Sequence, residues 1–280
     1  MSYDTQEISQ YGGNDVRLYE FQIGTRFWRY CNADRDTTFN TAVYTAIAIT
    51  DNGLKQKGTA STDDFVVEMP TVMQLPQLFL GTPPSAPIKF TLRAQHFDQP
   101  ADAPIMWRGY VASAKIKDEV ASQIICNTNT AFLHRSGMRS TYTRECNHAL
   151  YDSECRVDKT VWAEIVTITG LSGNSMAFTF VNTPLSADRA GRFRNGFIEW
   201  LPNLGADPGG WVERRAILEH EGHSIQLFGQ TDGLSVGMQI TLYPGCDRSP
   251  GNCQLFSNIS NYGGFAFMTG ESPFDGNPVW

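Results

Sequence analysis

The chain has 280 residues, 41% hydrophobic, 12% aromatic and 18% charged, and its 22 basic against 29 acidic residues give a net charge of −7. This describes a folded protein with one large core or two to three small ones; it excludes a disordered chain and one needing a metal merely because it is small. An acidic balance with no basic run excludes a surface built to grip phosphate backbones, and no stretch nears the roughly 20 apolar residues that cross a bilayer.

The polar start MSYDTQEISQ lacks the layout of a signal peptide, so synthesis in the cytoplasm is expected. In residues 16–33, Tyr19, Phe21 and Ile23 alternate with Glu20 and Gln22, the period of a half-buried strand, and a hairpin should follow. Residues 44–50 (YTAIAIT) read as a strand, Asp51-Asn52-Gly53 as a turn, and residues 65–69 (FVVEM) as the next strand. A short helix is expected over residues 75–80, then strands over 87–95, 105–116 and 123–126. Cys31 and Cys126 sit in or at the ends of these strands with no close Cys or His partner, and read as ordinary buried residues.

From Thr130 the texture turns irregular, with Arg135, Arg139 and Arg144 leading into Cys146. Strands resume over residues 161–169, 176–181 and 196–200, and residues 211–228 should fold as a hairpin about Glu221-Gly222. Residues 238–243 (MQITLY) make a last strand. Short strands between polar turns predict a mainly β, multi-domain chain whose N-terminal part is a β-barrel or sandwich.

Two segments carry chemistry. In SGMRSTYTRECNHALYDSECRVD, Cys146 and Cys155 lie nine positions apart; in YPGCDRSPGNCQLFSNISNYGGF, Cys246 and Cys253 lie seven apart. Four thiols in two turn-rich pairs suit a tetrahedral soft-metal site or an iron–sulfur cluster. Structural zinc sites usually draw on tight C-x2–4-C knuckles, and these intervals are long enough to wrap a bulkier group. In a reducing cytosol, metal ligands are favoured over disulfides; in a secreted protein each pair could close its own short loop. Four unligated core thiols are the remaining alternative. Arg144, Arg156 and Arg248 stand close to the cysteines and either support thiolates or are solvated or paired with Glu145, Glu154 and Asp247.

The same two stretches resemble the signature of a phage tail-tip and baseplate hub family: the hub proteins of long-tailed phages and gene transfer agents, including the tail-tip protein L of lambda-like phages. The resemblance implies a structural, non-enzymatic virion protein of the bacteriophage tail tip, a homotrimer placed between a distal tail protein ring and a central tip or fibre-bearing protein, with the tape-measure protein an optional further contact. It also implies a [4Fe-4S] cluster carried by Cys146, Cys155, Cys246 and Cys253, with zinc as the alternative metal. The layout expected is an N-terminal β hub domain (residues 1–129), a cysteine-cluster region made from 130–160 and 236–280, and an inserted small β domain (161–235). That insertion is longer than in the lambda-like proteins.

Competing functions are an iron–sulfur redox protein and a zinc-stapled binding module. No P-loop or G-x-G-x-x-G occurs, so nucleotide binding lacks sequence support, as does sequence-specific nucleic-acid binding. His220-Glu221-Gly222-His223 reads as a solvated hairpin tip, since it lacks the helical i, i+4 pair of a zinc protease. His148, two positions from Cys146, reads as a packing or capping residue, with a ligand or supporting donor as the alternative. Phe256, Tyr262, Phe265 and Phe267 read as core or interface packing, and residues 273–280 as a tail against a neighbouring subunit.

Overall fold

The computed structural model describes residues 3–8, 15–54, 64–97, 102–129, 141–182, 191–202 and 210–268. Arg135, Arg139 and residues 273–280 lie outside the described residues. The fold is mainly β. Its two compact units are Met1–Arg135 with Leu201–Glu213, and Ser136–Trp200 with Arg214–Trp280.

The first unit holds a short helix α1 (Tyr3–Glu7), strands β1 (Asp15–Ile23), β2 (Arg26–Cys31), β3 (Thr37–Phe39), β4 (Ala42–Ala46), β5 (Thr50–Asp51) and β6 (Phe65–Pro70), one helical turn α2 (Gln74–Gln77), and strands β7 (Lys89–His96), β8 (Ile105–Ile116) and β9 (Ala121–Thr128). They form one nine-stranded sheet in the order β3-β4-β2-β1-β7-β8-β9-β6-β5. Strict alternation decides which side of β1 is buried: Tyr19, Phe21 and Ile23 enter the main core with Phe90, Leu92, Val67, Met69 and Ile124. There Phe21 stacks on Phe90 at 4.7 Å and Phe65 on Trp107 at 5.1 Å. On the other side Val16, Leu18 and Cys31 pack with Phe39 and Tyr44, so β3 and β4 cover one end of that face. Residues 47–49, expected inside one continuous strand, instead separate β4 from β5. The chain changes partners here, β4 running parallel to β2 while β5 pairs with β6. Cys31 and Cys126 are fully buried, and burial alone pushes the Cys126 thiol far above its ordinary range.

The second unit is built on a closed six-stranded barrel. Its strands are β10 (Glu164–Ser172), β11 (Ser175–Phe180), β12 (Phe197–Trp200), β13 (Glu213–Glu221), β14 (Ser224–Leu227) and β15 (Gln239–Tyr243), closing in the order β10-β11-β14-β13-β12-β15. Val166, Ile168, Met176, Phe178, Ile198, Ile217, Ile225, Leu227, Ile240 and Leu242 fill it, each alternating with an outward residue. The β13–β14 hairpin turns at Gly222, whose φ of 57° suits a glycine. Glu221, Gly222 and His223 are exposed as expected of a solvated tip, but His220 is half-buried, packing edge-on to Phe193 at 5.0 Å with its Nε2 3.0 Å from the Gly222 carbonyl.

Closure of the barrel decides where the cysteines go. β10 and β15 are antiparallel neighbours with Glu164 opposite Leu242. The chain entering β10 and the chain leaving β15 therefore emerge side by side at one end, although Cys155 and Cys246 are 91 positions apart.

Candidate metal centre

The segment before β10 is a run of turns. Asp152 caps it by accepting the N–H groups of Ala149 (2.9 Å), Glu154 (2.9 Å) and Cys155 (2.6 Å). Burial opposes ionisation of Asp152, but those three donors outweigh it and hold the carboxyl below its usual range. Tyr151 reaches across to the other segment, donating to the Pro244 carbonyl at 2.9 Å. After β15, Pro244-Gly245-Cys246 leads into α3 (Pro250–Leu255), whose first turn is capped by Ser249 accepting from the N–H of Asn252 at 3.1 Å. Cys253 sits on the buried side of this helix.

All four thiols of the predicted set line one small cavity of about 20 Å³, together with His148, Leu150, Val157, Phe256, Asn258 and Tyr262. Cys155 and Cys253 are buried, Cys146 and Cys246 half-buried. Main-chain donors meet the sulfurs: the Gly263 N–H donates to Cys146 Sγ and the Arg248 N–H to Cys246 Sγ, both at 3.3 Å. Asn258 Nδ2 lies 3.5 Å from Cys155 Sγ and donates to the Cys155 carbonyl at 2.6 Å, while its own carbonyl accepts from Cys253 Sγ at 3.2 Å. Burial raises the thiol pKa values of Cys246 and Cys253, and the other cysteines nearby raise them further. The thiols are free, none joined in a disulfide. Among the described residues, no three His, Cys, Asp or Glu side chains are grouped so as to hold a single metal ion.

The two cysteine segments are locked together by Cys146, whose N–H donates to the Arg248 carbonyl at 3.0 Å, and by the Tyr262 hydroxyl, shared between the carbonyls of Arg144 and Arg248. The end of the second segment closes over the first through two glycines. A Cβ on Gly263 would sit 2.4 Å from His148 Nε2, and one on Gly264 2.6 Å from the Arg144 carbonyl oxygen. His148 is held by this packing, its Nδ1 3.2 Å from the Asn261 carbonyl and its Nε2 3.6 Å from Glu154.

The side chains of Arg144, Arg156 and Arg248 are exposed, as the solvated reading expects. Arg248 reaches sulfur through its main-chain N–H, with a φ of 65° that turns the loop back on Cys246. Among the described residues, no ion pair joins Arg144, Arg156 or Arg248 to Glu145, Glu154 or Asp247. Asn258 and the two glycines were not singled out by sequence reasoning, and Tyr262 was read there only as packing, because each acts through hydrogen bonds or close approach to segments remote in the chain. Their one sequence signal is the compact run from Asn258 to Gly264.

Two family comparisons cover the two cysteine segments separately. Residues 19–158 match the family described as baseplate hub protein, N-terminal attachment domain, and that match spans half of the chain. The chain belongs to the baseplate hub protein family. Residues 191–272 of this hub protein match a second family, described as phage conserved hypothetical protein BR0599. Cys146 and Cys155 fall in the first match, Cys246 and Cys253 in the second. The hub protein also shares its fold with a chain from the virion of a native gene transfer agent particle, at a TM-score of 0.78 and 17% identity, covering 99% of this chain and 96% of that one. No curated protein matches. Membership of this family makes the protein a structural component of phage-type virions, and among the described residues no helix is long and apolar enough to cross a membrane.

Proposed function

We propose that this hub protein forms a trimeric hub at the tip of a long tail, closing the tube and joining a distal tail ring to a central tip protein. Its four clustered thiols would hold a [4Fe-4S] cluster there. The observation that supports the cluster is that Cys146, Cys155, Cys246 and Cys253, drawn from two remote segments, line one cavity and have polar partners at their sulfurs. Four soft thiolate donors are the set that a [4Fe-4S] cluster takes at its corners, and the same set would serve one zinc as the alternative. Bound there, such a cluster would supply iron–thiolate links between the two segments.

The chain's own residues do the rest. Gly263 and Arg248 present N–H donors that compensate thiolate charge, and Leu150, Val157 and Phe256 wall the cavity with apolar surface. Asn258 and Tyr262 fix the spacing of the ligand loops. The thiols must lose their protons on loading, so binding grows stronger as pH rises. The role is mechanical rather than catalytic: the ends of the barrel strands β10 and β15 become tied to each other, as structural metals tie small domains.

Iron and acid-labile sulfide, measured on protein purified without oxygen, test the cluster. About four of each per chain are expected, with loss in Cys155→Ser. A single zinc would establish the stapled module instead, and electron transfer to an acceptor at a catalytic rate would establish the redox protein. Sedimentation equilibrium tests the trimer; a monomer at every concentration would refute it.

A further inference from the structure

The nine-stranded sheet has one face committed to the main core and a second face that, among the described residues, β3 and β4 cover at one end only. Two ladder rows cross the uncovered end. The first runs Arg29, Glu20, Thr91, Arg108 and the second Phe27, Gln22, Lys89, Tyr110, Asn127, as the pairings of β2, β1, β7, β8 and β9 dictate. Part of this surface is a concavity of about 350 Å³ lined by Glu20, Lys89, Arg93, Arg108, Tyr110 and Asn129 among others.

Its charges do not cancel. The Glu20 carboxylate, the only acid in the lining, accepts from Arg29 Nε at 2.7 Å and from the Tyr44 hydroxyl at 3.2 Å. Arg93 is held in place, donating to the Ala103 carbonyl at 3.0 Å with its guanidinium over Phe39. Lys89 and Arg108 are exposed, and among the described residues neither has an ion-pair or hydrogen-bond partner. On a chain of net charge −7, this patch is positive by about the charge of three cations once Glu20 is paired.

We infer that this open face is a docking surface for another virion protein, recognising a strand or loop that presents carboxylates at alternate positions. The spacing argues for that occupant. Lys89 pairs with Tyr110 and Thr91 with Arg108, so the two free cations are diagonal neighbours on adjacent strands, about 7–8 Å apart at Cβ. Carboxylates at i and i+2 of an extended segment project to one side about 7 Å apart. A nucleic acid fits less well: retention of a duplex at physiological salt draws on many phosphate contacts, and three cations in two short rows beside a carboxylate supply few. The family description places an attachment function in residues 19–158, and this face specifies the chemistry of the attached surface.

The probe is a fluorescent peptide of alternating aspartate and threonine, titrated by anisotropy into the full-length protein at low and at physiological salt. The wild type should bind it, more weakly as salt rises, and Lys89→Glu/Arg108→Glu should lower affinity by about tenfold or more at low salt. The same double variant should gain binding to the matching lysine–threonine peptide. Both side chains are exposed, so its melting temperature should stay at the wild-type value; if it does not, Lys89→Gln/Arg108→Gln takes its place in the same comparison. Acidic-peptide binding unmoved by the substitutions would overturn the inference. So would tighter binding of a DNA duplex of equal charge than of the peptide.

Discussion

Asn258 is neither a ligand candidate nor charged, yet it touches both halves of the candidate centre. Its amide donates to the Cys155 carbonyl and approaches that residue's sulfur, its carbonyl accepts from the Cys253 thiol, and its Oδ1 accepts from Asn261 at 2.7 Å. It is 8% exposed, so water does not replace a lost partner easily. Asn258→Ala should leave the Cys155 carbonyl unpaired and cost about 1–3 kcal/mol, read from the urea midpoint of the metal-free protein. No loss there would mean that the loops are held by Tyr262 and the main chain alone. Cys126 marks the contrast: burial suppresses its ionisation with no donor aimed at the sulfur, whereas Cys146 and Cys246 each accept a main-chain N–H. The difference between a packing cysteine and a ligand candidate thus lies in the groups around the sulfur.

At the level of elements, the glycines at the junction between β15 and the second cysteine segment are tightly crowded by main chain. A Cβ on Gly245 would lie 1.9 Å from the Arg194 carbonyl oxygen and 2.4 Å from the Gly196 nitrogen, and one on Gly196 would lie 2.1 Å from the Tyr243 carbonyl oxygen. Two backbones touch there, immediately before Cys246. Gly245→Ala should destabilise the unit by about 1–3 kcal/mol, because the crowding falls on main-chain atoms that cannot swing aside. Gly251→Ala, within α3 and with nothing nearer than Ser249 Oγ at 3.9 Å, should instead be neutral or stabilising by up to about 1 kcal/mol. Urea unfolding of the pair checks both signs at once, and equal effects would contradict the contact at Gly245.

Across the whole molecule, buried tyrosines set the alkaline limit. Tyr30 and Tyr44 in the sheet unit and Tyr243 in the barrel unit are each pushed up to about 12 from 10.0, primarily by burial, with Glu20 adding to the effect at Tyr44 and Glu199 at Tyr243. Their folded pKa values exceed the unfolded ones, so the unfolded chain releases protons first as pH rises. Stability from these groups is complete below about pH 10 and is lost between about 10 and 12, on the order of 2 kcal/mol for each of the well-buried Tyr30 and Tyr44. Urea midpoints measured from neutral pH to pH 12 should stay level and then fall; a level curve to the end of the range would contradict the burial of these hydroxyls.

Much of this architecture is written in two-residue periodicity. β8 coincides with residues 105–116 as read from the chain, β6 begins at Phe65 as expected, and the hairpin turns at Gly222. Alternation is a local property, and these strands bury one side whatever their partners. The four cysteines read as two turn-rich pairs do line one cavity. Partner choice was not: residues 44–50 carry one apolar pattern but serve two strands with different neighbours, and Leu201–Glu213 belongs with the sheet unit although it lies beyond the first barrel strands in sequence. Nor could periodicity reveal that Asn258, Tyr262 and Gly263 attend the cysteines, because hydrogen bonds across about a hundred residues leave no local pattern. The sequence by itself determined most of the strands and the identity of the four paired thiols; the antiparallel pairing of β10 with β15 decided that those thiols line one cavity, since closure of the barrel alone brings its first and last strands together.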